Sequence, residues 1–195
     1  MCGRFFIQIS RKDLDEIIAE VERNNADREG LAALKLEGEV FPTDTVAVRT
    51  EMTYTAMRWG FRMGKGLVIN ARSETVREKS LFREAIVDRR CVVAASGYYE
   101  WKQESGGGRK TKYQFCPPGG QVLWLAGCYR KEEGSPIPAF VILTREASPG
   151  LARFHDRMPV VLSAQQAELW TTPGDVDLDA IVADSVTDLE SAVAP

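Results

Sequence analysis

Apolar residues return every three or four positions in "SRKDLDEIIAEVER", where Leu14, Ile17, Ile18 and Val21 share one face. That spacing predicts an amphipathic helix with Ser10 as its N-cap. The next stretch, "NNADREGLAALKLEGEV", opens polar and then carries a short Leu/Ala helix or a loop. Beyond it the period shortens. "FPTDTVAVRT" and "EMTYTAMRWGF" show some alternation of apolar and polar residues and predict the two strands of a hairpin. "RMGKG" reads as a turn, "LVIN" as a short strand, and "SETVREKSLFREAIVDRR" as a helix starting near Ser73. Strand-like runs follow in "CVVAASG", "YYEWK", "KYQFC", "QVLWLAGCY" and "AFVILT", the last four separated by "ESGGGRK", "CPPGG" and "KEEGSPIP". "SAQQAELW" is a short helix in which Ser163 and Gln166 have capping-box spacing, and the acidic tail "DVDLDAIVADSVTDLESAVAP" is helical in part. Many strands with few helices imply an α+β fold, in which a curled antiparallel or mixed sheet forms a barrel-like core flanked by helices. No repeat or long linker divides the chain, so residues 1–195 are expected to form a single domain.

Composition narrows the setting. Of 195 residues 44% are hydrophobic and 27% charged, enough apolar material for a core in a water-facing protein. No apolar run approaches a membrane span and no signal-peptide pattern opens the chain, so no membrane partner and a cytoplasmic location are expected. Cys2, Cys91, Cys116 and Cys128 are widely scattered. That spacing argues against a zinc ribbon or finger, the expected compartment argues against a disulfide framework, and no metal or cofactor is expected. The net charge of −3 does not by itself mark a nucleic-acid binder.

Four segments set a reactive or polar group among apolar or glycine-rich neighbours: "MCGRF", "VINARSET", "SGYYEW" and "FHDRMPVV". Cys2 either begins a buried strand as a small apolar residue or, once Met1 is removed, presents an amine and a thiol together. Such a 1,2-aminothiol closes a five-membered ring on an aldehyde. Glu100 sits among aromatics, and strand alternation puts Tyr98, Glu100 and Lys102 on one face. By default that carboxylate faces water; in a crevice it becomes a general acid/base candidate. Asn70 either caps the turn before Ser73 or orients an amine or a substrate oxygen. His155 is the only histidine, placed where a loop enters a strand, and is either structural or a proton-transfer group. Together a thiol/amine nucleophile, an amide, a carboxylate and an imidazole suit covalent catalysis, provided that they converge.

In this order, "MCGRF", "WGF…INARSET", "SGYYEWK" and "HDRMPVVLS" resemble the SRAP family, the SOS response-associated peptidase-like proteins; the resemblance covers about residues 1–170. It implies an α+β domain with a barrel-like sheet that recognises single-stranded DNA carrying an abasic site, acting as a monomer. It further implies that Cys2 becomes the N-terminus, by self-cleavage or otherwise, and captures the ring-opened sugar as a thiazolidine. Glu100 then corresponds to a catalytic glutamate, His155 to a catalytic histidine, and Asn70 to an asparagine that positions the amine. Arg72 and Arg157 correspond to phosphate-holding arginines. Trp59 is either an aromatic on which a base stacks beside the lesion or part of the core, and Pro42 lines the same wall. Arg4, Arg58, Arg62 and Lys65 either extend a basic track or form solvated surface.

Three stretches depart from the family pattern. "RMGKGLV" is short, "EVFPTDTVAV" lacks an Asn-x-Ala before the proline, and the C-terminal "DSVTDLESAVAP" lacks an asparagine-rich strand. Two rival readings remain at this point: a cysteine peptidase acting on peptides through Cys2 and His155, and a non-catalytic nucleic-acid-binding module.

Overall fold

The computed structural model describes residues 2–8, 11–24, 34–51, 53–104 and 108–195, with side chains omitted at 11–14 and 24. The predicted first helix forms as α1, Arg11–Asn24. Its predicted cap, Ser10, and most of "NNADREGLAALKLEGEV" lie outside the described residues.

Five strands close a ring: β3 (Thr45–Arg49), β4 (Tyr54–Trp59), β8 (Arg90–Ala95), β11 (Leu123–Arg130) and β12 (Ala139–Glu146). Their order is β12–β4–β3–β8–β11 and back to β12, antiparallel throughout except for the parallel β4–β12 contact. The predicted hairpin is β3–β4, with Thr45 opposite Arg58. Alternation then sorts the side chains. Val46, Val48, Met57, Trp59, Phe140 and Ile142 face one core. Intervening residues, among them Val92, Ala126, Val141 and Leu143, face another.

A second sheet of five strands packs on the first core. It runs β15 (Glu190–Val193), β10 (Thr111–Cys116), β9 (Gly97–Lys102), β1 (Arg4–Ile7) and β2 (Gly38–Val40). Phe5, Ile7, Tyr98 and Phe115 turn from this sheet into the shared core. Gly97 is required where β9 crosses its neighbours, because a Cβ there would lie 2.6 Å from both the Phe115 carbonyl oxygen and the Phe6 ring. On the far side of the barrel, α2 (Arg83–Asp88), α3 (Ala164–Thr171) and α4 (Leu178–Ala183) cover the second core with Ile86, Trp170 and Ile181. The capping box at α3 is present in both directions: Ser163 Oγ accepts from Gln166 N, and Gln166 Oε1 accepts from Ser163 N.

One expected element needs correction. The helix expected from Ser73 is a series of turns that becomes helical only over Arg83–Asp88. Ser73 is buried and its N–H is committed to Thr144 O at 2.9 Å, which keeps the segment pinned to the sheet. The tail is helical in part, as expected, over α4, whereas residues 190–193, where the sequence lacks the family's asparagine-rich strand, still form β15 along β10. Backbone pairing needs no particular side chain there. The remaining short strands β5 (Phe61–Met63), β6 (Gly66–Val68), β7 (Asn70–Arg72), β13 (Arg157–Pro159) and β14 (Val161–Leu162) decorate the barrel.

Candidate active site

The N-terminal segment enters between the sheet and the barrel, and Cys2 is 0% exposed. Its backbone is held from β7: Asn70 Nδ2 donates to the Cys2 carbonyl oxygen at 2.8 Å. The other end of that amide, Asn70 Oδ1, is buried without a hydrogen-bond partner among the described residues. Trp59 sets this arrangement up. Its indole N–H donates to the Ile69 carbonyl at 3.0 Å, directly before Asn70, and its ring lies 5.1 Å from that of Phe5.

β9 delivers the carboxylate. Tyr98 and Glu100 share the inward face, as alternation predicts, and Glu100 is 5% exposed rather than facing water. Burial pushes the Cys2 thiol far above its ordinary value, and the Glu100 charge adds to that rise. Tyr98 is raised by burial and by the charges of Cys2 and Glu100. Cys2, Tyr98 and Glu100 therefore sense one another in poorly solvated surroundings. The thiol is protonated at neutral pH.

His155 comes to this end of the molecule on the loop before β13. Its neighbour Phe154 packs edge-on against Tyr113 and Phe115, 4.8 and 5.1 Å away, and Tyr113 pairs in register with Glu100. The imidazole bonds within its own loop: Nδ1 accepts from Arg157 N at 2.9 Å, and Asp156 Oδ1 lies 2.7 Å from the same nitrogen.

The expected DNA-contacting residues separate into distinct environments. Arg72 projects on the same face of β7 as Asn70 and is exposed, and its guanidinium makes no hydrogen bond or ion pair within the described residues. Arg4 donates to Glu39 at 3.0 Å and lies over the rings of Phe41 and Trp101, 4.2 and 5.1 Å from their centroids. Pro42 is half-buried in the turn beside Phe41. Trp59 takes the core-packing alternative: it is fully buried, so neither ring face is open to a base. Arg58 leaves the expected basic track as well, since it is buried and paired with Glu132. Arg62 and Lys65 remain exposed on the β5–β6 hairpin.

Arg157 is engaged rather than open. Its Nη1 and Nη2 donate to the two oxygens of Glu74 at 2.6 and 2.9 Å, and Nη2 also reaches Thr144 O at 2.7 Å. The hydrogen bonds from Arg157 hold the Glu74 carboxyl below its ordinary value, against a smaller rise from burial. Sequence reasoning had passed over Glu74, and Tyr98 as a group coupled to Cys2. Both lie inside quoted motifs, "NARSET" and "SGYYEW". A carboxylate two residues beyond Arg72 was the available signal. Among the described residues no group of three or more His, Cys, Asp or Glu is arranged to hold a metal ion.

Residues 1–192 match the family model described as SOS response associated peptidase (SRAP). The chain belongs to the SRAP family. It is 31% identical to the abasic site processing protein YoqW of Bacillus subtilis, over 92% of this chain and 84% of that one. It is 32% identical to the abasic site processing protein YedK of Escherichia coli, over 87% and 79% respectively. Among solved structures, a Bacteroides thetaiotaomicron protein superposes with a TM-score of 0.77 at 21% identity, covering all of this chain and 92% of the other. A phage-related protein from Bordetella bronchiseptica gives 0.75 at 23% identity over 99% and 94%. These likenesses establish the α+β barrel fold.

Proposed function

We propose that this SRAP protein processes abasic sites in single-stranded DNA by capturing them covalently through Cys2 once Met1 has been removed. The relatives named above as abasic site processing proteins support the substrate class. The observation that carries the reading is the grip of Asn70 on Cys2. One end of the amide holds the Cys2 carbonyl, and the other presents a buried acceptor with nothing bound to it among the described residues. That acceptor is suited to an N–H of a newly formed α-amine or to a hydroxyl of the opened sugar.

The chemistry follows in order. An α-amine has a pKa of about 7.7–8.0, so a usable fraction is neutral near pH 7. It adds to the sugar aldehyde and loses water to give an imine. The thiol then adds to the imine carbon, its proton passes to nitrogen, and a thiazolidine results. A thiol kept protonated by burial and by Glu100 favours this sequence, amine first and sulfur second. Glu100 shuttles protons during ring opening and loss of water. His155 assists imine formation and its reversal, and Arg72 with Arg4 engages flanking phosphates. Removal of Met1 by the chain itself would add a peptidase activity, and reversal a lyase-like one. The peptidase rival is disfavoured, because a cysteine peptidase needs a thiolate and this environment opposes one.

The test uses the purified full chain and a single-stranded oligonucleotide with one abasic site, resolved under denaturing conditions. The protein lacking Met1 is expected to give a denaturation-resistant adduct, and Cys2→Ala to give none. A Met1-free protein, confirmed by intact mass, that forms no adduct would falsify the reading.

A further inference from the structure

Glu74 lies two residues beyond β7, and Arg157 opens β13. Both strands pair with β12, with Thr144 opposite Arg72 on one side and Pro159 on the other. The Arg157 guanidinium reaches past β12 to Glu74, gripping both carboxylate oxygens and the Thr144 carbonyl, which also accepts from Ser73 N. A single β12 carbonyl thus clips together the turn after Asn70–Arg72 and the end of the His155 loop. At the other end of the same residue, Arg157 N–H donates to His155 Nδ1.

That nitrogen faces two neighbours with opposite demands. Arg157 N–H needs a lone pair on it, whereas Asp156 Oδ1, 2.7 Å away, needs a hydrogen. A neutral imidazole satisfies only one of them. The outcome depends on which neighbour is held in place. The Asp156 side chain is 84% exposed and can turn into water, while the Arg157 side chain is 15% exposed and clamped by Glu74.

We propose that Glu74 is a positioning residue: by clamping Arg157 it keeps the Arg157 N–H on His155 Nδ1 and so places the ring proton on Nε2. This rests on the covalent-capture reading only for its consequence, that His155 then enters the site in one defined tautomer. Releasing the clamp lets the Arg157 backbone shift and hands Nδ1–H to Asp156.

His155 is the only histidine, so ring-nitrogen NMR of the uniformly ¹⁵N-labelled full chain needs no assignment. The spectra are taken at a pH where the ring is neutral. The unsubstituted protein is expected to show an unprotonated Nδ1 and a protonated Nε2. Glu74→Ala is expected to move the population toward Nδ1–H, and Glu74→Gln, which keeps one acceptor and the side-chain size, to move it less in the same direction. Adduct formation at saturating abasic DNA is expected to fall about tenfold or more in Glu74→Ala, the scale of a misplaced catalytic group, without weaker DNA binding. Ring signals identical to those of the unsubstituted protein in both variants overturn the proposal. So does a variant that binds DNA more weakly yet reacts at the unsubstituted rate when saturated. Should Glu74→Ala not fold, Glu74→Gln carries the same readouts. If the unsubstituted protein forms no adduct, the capture reading fails, while the ring spectra still decide the role of Glu74.

Discussion

Arg90 and Asn70 are both polar side chains set into apolar surroundings, on opposite sides of the barrel, and their hydrogen bonding differs. Arg90 is 7% exposed beneath the helices. Its guanidinium donates to five carbonyls: Ile86 and Val87 in α2, and Trp170, Thr172 and Gly174 at and beyond the end of α3. Those carbonyls lie at helix ends, where intrahelical partners run out, so one cation completes both ends at once. Asn70 spends its amide N–H on Cys2 and leaves its oxygen buried and unused among the described residues. A fully satisfied network stabilises, whereas a half-satisfied one carries a cost that a ligand can relieve. The helix side of the barrel is therefore satisfied within the protein, whereas the sheet side keeps a buried acceptor open among the described residues, as the proposed capture requires.

Substitutions that should affect one side alone test this contrast. The largest effect is expected from Arg90→Met, which strands five carbonyl acceptors while roughly keeping volume. Urea denaturation should show a loss of about 3 kcal/mol, more than a hundredfold in the folding constant. The adduct rate per folded molecule should be unchanged, and a rate that fell in parallel would break the division. Asn70→Asp comes next. It keeps the shape but replaces the donor facing the Cys2 carbonyl with a charged acceptor. Adduct formation at saturating DNA should slow about tenfold per folded molecule, the scale of a misplaced reacting group.

The smallest effect concerns acid. Burial raises the Glu132 carboxyl, but hydrogen bonds from the Arg130 guanidinium and from Arg62 N–H, with the charges of Arg58 and Arg130, outweigh it and hold the group below its ordinary value. A carboxylate depressed in the folded state contributes stability above its unfolded pKa and loses it as pH falls through its folded one. Glu132→Gln should thus cost about 1 kcal/mol at neutral pH, the difference between charged and neutral hydrogen bonds. It should also flatten the acid limb of a stability-against-pH curve below the ordinary glutamate pKa of about 4.3. Parallel acid limbs in the two proteins would remove Glu132 from the stabilising side.

Much of the fold was legible because its signals are local. Strand alternation alone put Tyr98 and Glu100 on one face, and Ser163 with Gln166 announced the start of α3 three residues apart. The candidate site was legible as four segments, since each carries its reactive residue within a few positions of recognisable neighbours. The failures share a cause. Residues 73–82 have helical spacing, yet Ser73 is drawn to a β12 carbonyl some seventy residues away in the chain. Arg58 looks solvated until Glu132 meets it from the loop after β11, and Trp59 looks available for stacking until Phe5 and Phe140 close over it.

By itself the sequence determined the α+β class, the strand and helix spacing of most elements, and which side chains had chemistry to offer, because periodicity, capping and side-chain reactivity are properties of a residue and its near neighbours. Only the tertiary structure decided that β4 and β12 close the barrel in parallel, that Asn70 holds Cys2, that Glu100 is buried, and that Arg157 belongs to Glu74. Each of those depends on which distant partner supplies a hydrogen bond or excludes water, and that is settled only when the chain has folded around it.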